Sequence, residues 1–224
     1  MSSQKPPKQP PGASGNGRRS GRRGADTRRR IEEAAARLFT SDGYTAATMQ
    51  AIAAEAGVHV QTIYLAYGTK PALLAACAAR LVAGEEDPET HPGERRWARG
   101  VASEPDPRGK LARYVKQIGD VSPRITPLID VLRATAPAEP DVAAFLAQME
   151  HGRREGPHKL LGQGVAPGTW RPGLTPDKVA DIVFAIASPD TLRALIDRCG
   201  WKRPAAEALI VRALERELLG ESGC

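Results

Sequence analysis

The chain has 224 residues, of which 41% are hydrophobic, 26% charged and 4% aromatic, and its formal net charge is +6. Such a chain forms one large globular domain or two small ones, and its small aliphatic side chains favour packed helices over a β-sandwich. It contains neither an apolar run of the about 18 residues that span a bilayer nor the apolar segment of a secretory signal. We therefore expect a cytoplasmic protein rather than a membrane or secreted one.

The number and spacing of the cysteines also indicate a cytoplasmic protein. They are widely spaced and form no Cys-x-x-Cys pair or Cys/His cluster: Cys77, Cys199 and Cys224. An odd number of dispersed thiols fits neither a disulfide framework nor a zinc site. We therefore expect free thiols in a reducing environment.

All of the excess positive charge lies in the first 24 residues. Charges balance in the rest of the chain, whereas this segment has no acidic residue and six basic ones: Lys5, Lys8, Arg18, Arg19, Arg22 and Arg23. Its other residues are mostly glycine, proline and serine, so we predict that residues 1–24 form a disordered basic arm. Such an arm either contacts DNA phosphates or acts as a solubilising tail.

Residues 25–85 carry the patterns of four helices. Apolar residues at helical spacing from Ile31 to Phe39 give the first helix one apolar stripe. Thr48 is the predicted N-cap of the second helix, and Pro71 is the predicted first residue of the fourth. The four predicted helices span about residues 26–42, 48–55, 60–67 and 71–83.

The remainder of the chain, residues 86–224, carries further helical patterns. A connection rich in Glu, Asp, Pro and Gly leads into it, and proline or glycine marks nearly every later junction. The predicted helices span about residues 95–101, 109–120, 124–135, 140–155, 177–187, 189–199 and 204–219. Since no strand or repeat is convincing, we predict an all-α fold.

Residues 48–67 have the pattern of a helix-turn-helix. Ala53 lets two short helices approach closely, and Gly57 supplies a turn conformation that strains any residue with a Cβ. Three apolar residues form a plug beneath the pair: Ile52, Val58 and Ile63. In this arrangement the second helix enters the major groove of DNA.

On these residues the chain resembles the TetR family of bacterial transcriptional regulators. The matching residues are Thr48, Ile52-Ala53, Ala56-Gly57-Val58, Thr62-Ile63-Tyr64, Tyr67, Lys70 and Leu73-Leu74, with Ile31, Ala34-Ala35, Leu38-Phe39, Gly43 and Tyr44 in the first helix. The resemblance is close over about residues 25–85 and continues beyond them only in architecture. It implies an N-terminal three-helix helix-turn-helix DNA-binding domain at 25–85, followed by a helical ligand-binding and dimerisation domain at 86–224.

Three positions depart from the family pattern. His59 stands at a helix start where Ser or Thr is usual, Gln61 stands where a small residue is common, and Ala66 replaces an aromatic or histidine side chain. None of the three changes the expected fold. They bear on the strength of a helix cap, on base preference and on one contact with the DNA backbone.

The resemblance also implies which residues contact DNA. Thr48 caps the second helix and reaches a phosphate, while Tyr64 and Lys70 match positions that hold the DNA backbone. Glutamine amides pair with adenine, and valine and threonine methyl groups contact thymine. The residues expected to meet base edges are Gln50, Val60, Gln61 and Thr62, and His59 at the helix start completes the predicted set.

Some of these roles have a plainer alternative. Tyr64 and Tyr67 are residues of the kind that pack in a core, and for Tyr67 the core placement is the one that we expect. Lys70 can be a solvated lysine. Gln50 can be a surface residue with no contact to a base.

The sequence carries no pattern for catalysis or metal binding. His151 and His158 have glycine and proline between them and lack the further ligands that a metal pair needs. A nucleophile–base pattern, a GxGxxG motif in a fitting context and a Walker loop are also missing. We therefore predict no catalytic residue, no metal and no cofactor, and we expect both histidines to be exposed polar residues.

The C-terminal part supplies candidates for an effector pocket and for a dimer interface. Its large aromatic residues either line a pocket or form plain core: Trp97, Tyr114, Phe145, Trp170, Phe184 and Trp201. Polar candidates on otherwise apolar helices are Arg113, Gln117, Asp130, Arg133 and Gln148. The predicted helices at 140–155 and 177–187 each have an apolar face, and together these faces predict a two-fold four-helix dimer interface. The residues are Val142, Phe145, Leu146 and Met149 on the first helix and Val179, Ile182, Val183 and Ile186 on the second.

The sequence therefore predicts a homodimeric DNA-binding repressor that a small-molecule effector releases from an inverted-repeat operator. Two alternatives remain. One is a helical enzyme that uses the C-terminal cavity, with the basic arm incidental. The other is a nonspecific nucleoid-type DNA-binding protein, which the well-formed recognition helix opposes.

Overall fold

The computed structural model describes residues 16–162, 165 and 168–219. Every regular element in these ranges is helical, which confirms the predicted all-α class. The α-helices are α1 (Asn16–Ser41), α2 (Met49–Ala56), α3 (Val60–Tyr67), α4 (Lys70–Ala83), α5 (Arg96–Ala102), α6 (Pro107–Thr135), α7 (Pro140–Pro157), α8 (Pro176–Ile186), α9 (Pro189–Arg193) and α10 (Arg203–Leu218). None of the helices described is long and apolar enough to cross a membrane.

The first helix begins earlier than the sequence predicts. We expected the whole basic arm to be disordered, but α1 starts at Asn16, so residues 16–24 are helical. Extending an existing helix costs far less than nucleating a new one, and arginine is a good helix former. Ile31 and Phe39 are both fully buried and anchor the rest of this helix against the core. The remainder of the arm, residues 1–15, lies outside the described residues.

One helix, α6, replaces the two that were predicted on either side of Pro123. Pro123 and Pro127 both lie inside it, although a proline in a helix interior costs about 3 kcal/mol. Beyond the first proline the helix buries Ile125, Leu128 and Leu132, and burial of each such side chain contributes about 1.5–3 kcal/mol. Because the apolar face continues past the prolines, burial offsets their cost and the helix does not end.

Two apolar clusters form the interior, and α6 contributes to both. The first cluster packs α1–α4 against the second half of α6 and against α7, and it includes Ile52, Ile63 and Leu128. The second cluster packs α5 and the first half of α6 against α8, α9 and α10, and it includes Val115 and Leu214. The helix-turn-helix part of the chain is thus packed directly on a helix that also belongs to the C-terminal core.

Candidate nucleic-acid interface

The turn between α2 and α3 has the geometry that the sequence predicts. The hydroxyl of Thr48 accepts a hydrogen bond from the backbone N–H of Ala51 at 3.1 Å and so caps α2. Gly57 ends α2 with a φ of 64°, in the left-handed region where a side chain would be strained. Ile52 and Ile63 are fully buried and form the predicted plug. These contacts use the inner faces of the two helices.

The outer face of α3 is exposed. Gln61, Tyr64 and Leu65 share this face at i, i+3 and i+4, and the exposed fractions of Tyr64 and Leu65 are 45% and 83%. Tyr64 is therefore not a core aromatic. Val60 and Thr62 are only partly exposed, and Val60 packs against the first cluster. Among the residues of α3 expected to meet base edges, Gln61 is the most exposed. Leu65, which shares this face, was not predicted to contact DNA.

His59 and Gln50 both lie exposed at helix starts. His59 is the N-cap residue of α3, but its side chain makes no capping hydrogen bond. A serine or threonine cap contributes about 1 kcal/mol. The N-terminus of α3 is therefore less stable with His59 than it would be with the residue that is usual in the family. Gln50 is the second residue of α2 and follows closely on the exposed Thr48.

Lys70 already has partners within the protein. Its ammonium group donates to the carbonyl oxygen of Thr45 at 3.3 Å and lies 4.3 Å from the centre of the Tyr44 ring. Burial lowers the pKa of Lys70 from its ordinary value, and the negative charge of Glu139 opposes that shift. Lys70 is therefore not a plainly solvated lysine, and a DNA phosphate would compete with these contacts.

The end of α3 is tied to α1 and α4 through a buried carboxylate. Tyr67 donates from its hydroxyl to Glu32 at 2.9 Å, and Arg80 pairs with the same carboxylate. Burial and, second, the charge of Glu32 raise the pKa of Tyr67 above its ordinary range. Cys77 is buried as well and donates from Sγ to the carbonyl oxygen of Glu32 at 3.3 Å. Tyr67 is thus a structural residue, as expected, whereas sequence reasoning missed Glu32 and Arg80.

Basic side chains of α1 lie beside the motif. Arg30 is exposed and forms no close ion pair in the described part of the chain. A Cβ at Gly57 would lie 3.9 Å from Nη1 of Arg30, so that guanidinium lies next to the turn. Arg37, in contrast, is paired with Glu55 at 3.0 Å. Some of the positive charge on α1 is therefore not neutralised within the protein and can attract a negatively charged partner.

Some of the predicted pocket residues lie together in the C-terminal interior. Tyr114 is buried with the Trp97 ring edge-on at 6.5 Å. The Arg153 guanidinium lies 3.7 Å from the centre of the Phe184 ring and donates to the Phe184 carbonyl at 2.9 Å. The charges of Glu150 and Asp190 also attract this guanidinium. Within the described ranges the buried indole N–H groups of Trp97 and Trp170 have no acceptor. This interior therefore has an excess of hydrogen-bond donors.

The polar pocket candidates lie in ion pairs and along surface grooves rather than in the buried interior. Three of the polar ones form ion pairs: Arg113 with Glu104, Asp130 with Arg193, and Arg133 with Asp190. Phe145 packs against the first cluster, whereas Trp201 is 40% exposed and Gln148 is exposed too. Gln117 lines a surface groove of about 630 Å³ between α4, α5 and α6, and two other predicted pocket residues, Arg113 and Trp97, line the same groove.

The apolar faces predicted to form a dimer interface are largely used inside the protomer. All eight residues pack against the protomer's own clusters, but only Val142, Val179 and Val183 are buried. These three residues cannot form the predicted interface, because α7 and α8 bury them against other helices of the same chain. The other five residues stay partly exposed, so for them the interface stays a prediction: Phe145, Leu146, Met149, Ile182 and Ile186.

The histidines and cysteines form no candidate metal site in the described residues. No group of three His, Cys, Asp or Glu side chains in those ranges could hold a metal ion. His151 is exposed, as expected, whereas His158 is partly buried and lies 3.3 Å from Asp177, so its predicted exposure is wrong. Cys199 is an exposed free thiol, while Cys224 lies outside the described residues.

Comparison with known proteins agrees with the geometry of the motif. Residues 31–77 match the model of the bacterial regulatory proteins of the tetR family. No curated protein matches the sequence. Among solved structures, the chain is similar to a TetR-family transcriptional regulator from Syntrophomonas wolfei, with a TM-score of 0.66 and 14% identity over 86% of this chain and 94% of that one.

Two similar structures contain ligands. FadR from Bacillus subtilis, in complex with stearoyl-CoA, has a TM-score of 0.64 and 17% identity over 83% of this chain and 96% of its own. A transcriptional regulator from Saccharomonospora viridis, in complex with choline, has a TM-score of 0.60 and 17% identity over 87% and 98% of the two chains. The chain thus carries the helix-turn-helix domain of the TetR family and has the fold of TetR-family transcriptional regulators.

Proposed function

We propose that this chain is a homodimeric repressor that binds an inverted-repeat operator in double-stranded DNA and leaves it when a small-molecule effector binds. The observation that carries the proposal is the helix-turn-helix of α2 and α3, whose turn and plug leave the outer face of α3 free for a major groove. A two-fold dimer presents two such helices, so its preferred site is an inverted repeat. In this proposal the protein acts in the cytoplasm and is not an enzyme.

The proposal divides the chain into two parts. Residues 25–85 bind DNA, and residues 86–224 bind the effector and the second subunit. The DNA backbone is held by Thr48, Tyr64 and Lys70, since hydroxyl groups and a flexible ammonium group suit phosphate oxygens. Base edges are met by Gln50, His59, Val60, Gln61 and Thr62.

The C-terminal interior favours an effector that is rich in hydrogen-bond acceptors. A buried donor left without an acceptor costs about 1–3 kcal/mol. The indole N–H groups of Trp97 and Trp170 are such donors, and the half-buried Arg153 adds a cation that lies over the Phe184 ring. A ligand that accepts from these groups would gain free energy that the protein alone lacks. To release DNA, it must bind the released conformation better than the DNA-bound one.

Selection of bound duplexes from a random pool tests the proposed function. We expect the selected sequences to share an inverted repeat. Release of that site is then screened with carboxylates, matched amides and amines, and we expect acceptor-rich compounds to release it best. If the purified protein shows no preference among DNA sequences at physiological salt, the proposal is wrong.

The assembly is tested by sedimentation equilibrium. We expect a dimer at micromolar concentration, with a surface that includes the partly exposed Ile182 and Ile186 of α8. The variant Ile182→Glu should shift the equilibrium toward monomer, because a carboxylate would be buried in the interface. It should also bind a full inverted repeat no better than a single half-site. A monomeric native protein under the same conditions would contradict the dimer.

The basic arm is tested by deletion of residues 1–23. The deletion removes six basic residues and no buried side chain of the described core, so we expect folding to persist. If the arm contacts phosphates, the slope of log K against log salt should become shallower by about 0.9 for each lost contact. A full-length variant with glutamine at the six basic positions separates loss of charge from loss of helix length. An unchanged slope in both proteins would identify the arm as a solubilising tail.

A further inference from the structure

The outer face of α3 carries a large apolar side chain to which the proposed function gives no role. Leu65 is 83% exposed, against 45% for Tyr64 and 40% for Trp201, which are the other exposed large hydrophobic residues in the described chain. Every other leucine, isoleucine and valine side chain in that part of the chain is at least partly buried. Leu65 is also unavailable to the protein's own core, because the opposite face of α3 is held by the buried Ile63.

The position of Leu65 on α3 places it beside Gln61. The two residues are one helical turn apart on the exposed face, about 6 Å along the axis at about 1.5 Å per residue. This distance corresponds to between one and two base pairs, since base pairs are stacked about 3.4 Å apart. The eight residues of α3 span about 12 Å, which is also about the width of the major groove. When Gln61 meets one base edge, Leu65 therefore lies over a neighbouring base pair.

The chemistry of the major groove leaves one partner for an aliphatic side chain. Thymine presents a C5-methyl group, whereas the other base edges present hydrogen-bond donors and acceptors. Leucine has no group that can bond to those donors and acceptors, so it would desolvate them without compensation. A leucine held against the groove floor therefore favours thymine over cytosine at its own position.

We propose that Leu65 is a specificity-determining residue that packs on the C5-methyl group of one thymine in each half-site. The inference rests on the proposed entry of α3 into the major groove. Each lost methyl contact should weaken binding about fourfold, the equivalent of about 0.8 kcal/mol. Loss in both half-sites should weaken binding about fifteenfold, because the two contacts are far apart and add independently.

The experiment replaces each thymine of the selected operator by deoxyuridine, one symmetric pair at a time. Deoxyuridine removes only the C5-methyl group and keeps base pairing and groove hydrogen-bond groups. Dissociation constants are measured for the native protein, Leu65→Ala and Leu65→Met. We expect one thymine pair at which the native protein and Leu65→Met lose about fifteenfold, while Leu65→Ala binds both duplexes equally. Circular dichroism should be unchanged, since the side chain is exposed.

Each outcome separates this inference from the proposed function. If a preferred operator is selected but no thymine shows a sensitivity that depends on Leu65, the assignment of Leu65 is wrong and the regulator remains. If every sensitive thymine pair stays equally sensitive in Leu65→Ala, the methyl contacts belong to other residues, such as Val60 or Thr62, and the assignment of Leu65 is overturned. If no operator is selected at all, the proposed function fails, and this inference fails with it.

Discussion

Replacing Glu32 with alanine is expected to lower the free energy of unfolding by about 3 kcal/mol. The Glu32 side chain is 8% exposed and pairs with Arg80, whose side chain is 22% exposed. It also accepts from the Tyr67 hydroxyl at 2.9 Å. The substitution leaves a cation and a hydroxyl without their acceptor where little water can reach them. The residual exposure of Arg80 keeps the effect at the low end of the range for buried pairs, and urea unfolding measures it.

An exposed ion pair of the same motif supplies the matched control. Arg37 and Glu55 lie 3.0 Å apart with side chains 60% and 45% exposed, so Glu55→Ala should cost less than about 1 kcal/mol. The double variant Glu32→Met with Arg80→Leu should be less destabilised than Glu32→Ala, since it leaves no charge unpaired. Equal losses of stability in Glu32→Ala and Glu55→Ala would contradict the role given to the buried carboxylate.

The parts of the motif that were predictable depend on residues close together in the chain. The cap at Thr48, the turn at Gly57 and the buried Ile52 and Ile63 follow from side-chain type and spacing over a few positions. The all-α class follows from the same local patterns repeated along the chain. Such features survive packing because each one is favourable before the helices meet.

The parts that were missed depend on which helices pack together. Glu32 and Tyr67 are 35 residues apart, and no periodicity pairs them. The burial of Val142 within its own protomer likewise depends on where α7 packs, which an apolar stripe does not reveal. Leu65 could have been found, because it follows Ile63 by two residues and so lies off the buried face of a helix.

Gln61→Ala and Lys70→Ala are expected to weaken DNA binding in two different ways. The Gln61 side chain is exposed on α3, where its amide can both donate to and accept from one base. Its loss should cost about 1–3 kcal/mol on the preferred operator and relax preference at one position of each half-site. Binding to random DNA should change little. Parallel titrations of the operator and of a random duplex with each variant measure the difference.

Lys70 lies at the start of α4, where a long cationic side chain suits phosphate rather than a base edge. Lys70→Ala should weaken binding to the operator and to random DNA alike and reduce the salt slope by about one per half-site. Since Lys70 also contacts Thr45 and the Tyr44 ring, thermal unfolding of the variant must first show that the fold persists. Lys70→Arg is the matched control, because it keeps the charge and should keep the salt slope.

The two variants together decide how α3 lies on DNA. A contact with the backbone carries no sequence information, so its loss cannot change which bases are preferred. A contact with a base edge carries little of the counterion release that sets the salt slope, so its loss should leave that slope unchanged. Gln61→Ala should therefore alter specificity at constant slope, and Lys70→Ala should alter the slope at constant specificity. If both variants gave the same specificity profile, α3 would not lie in the groove with Gln61 facing the bases.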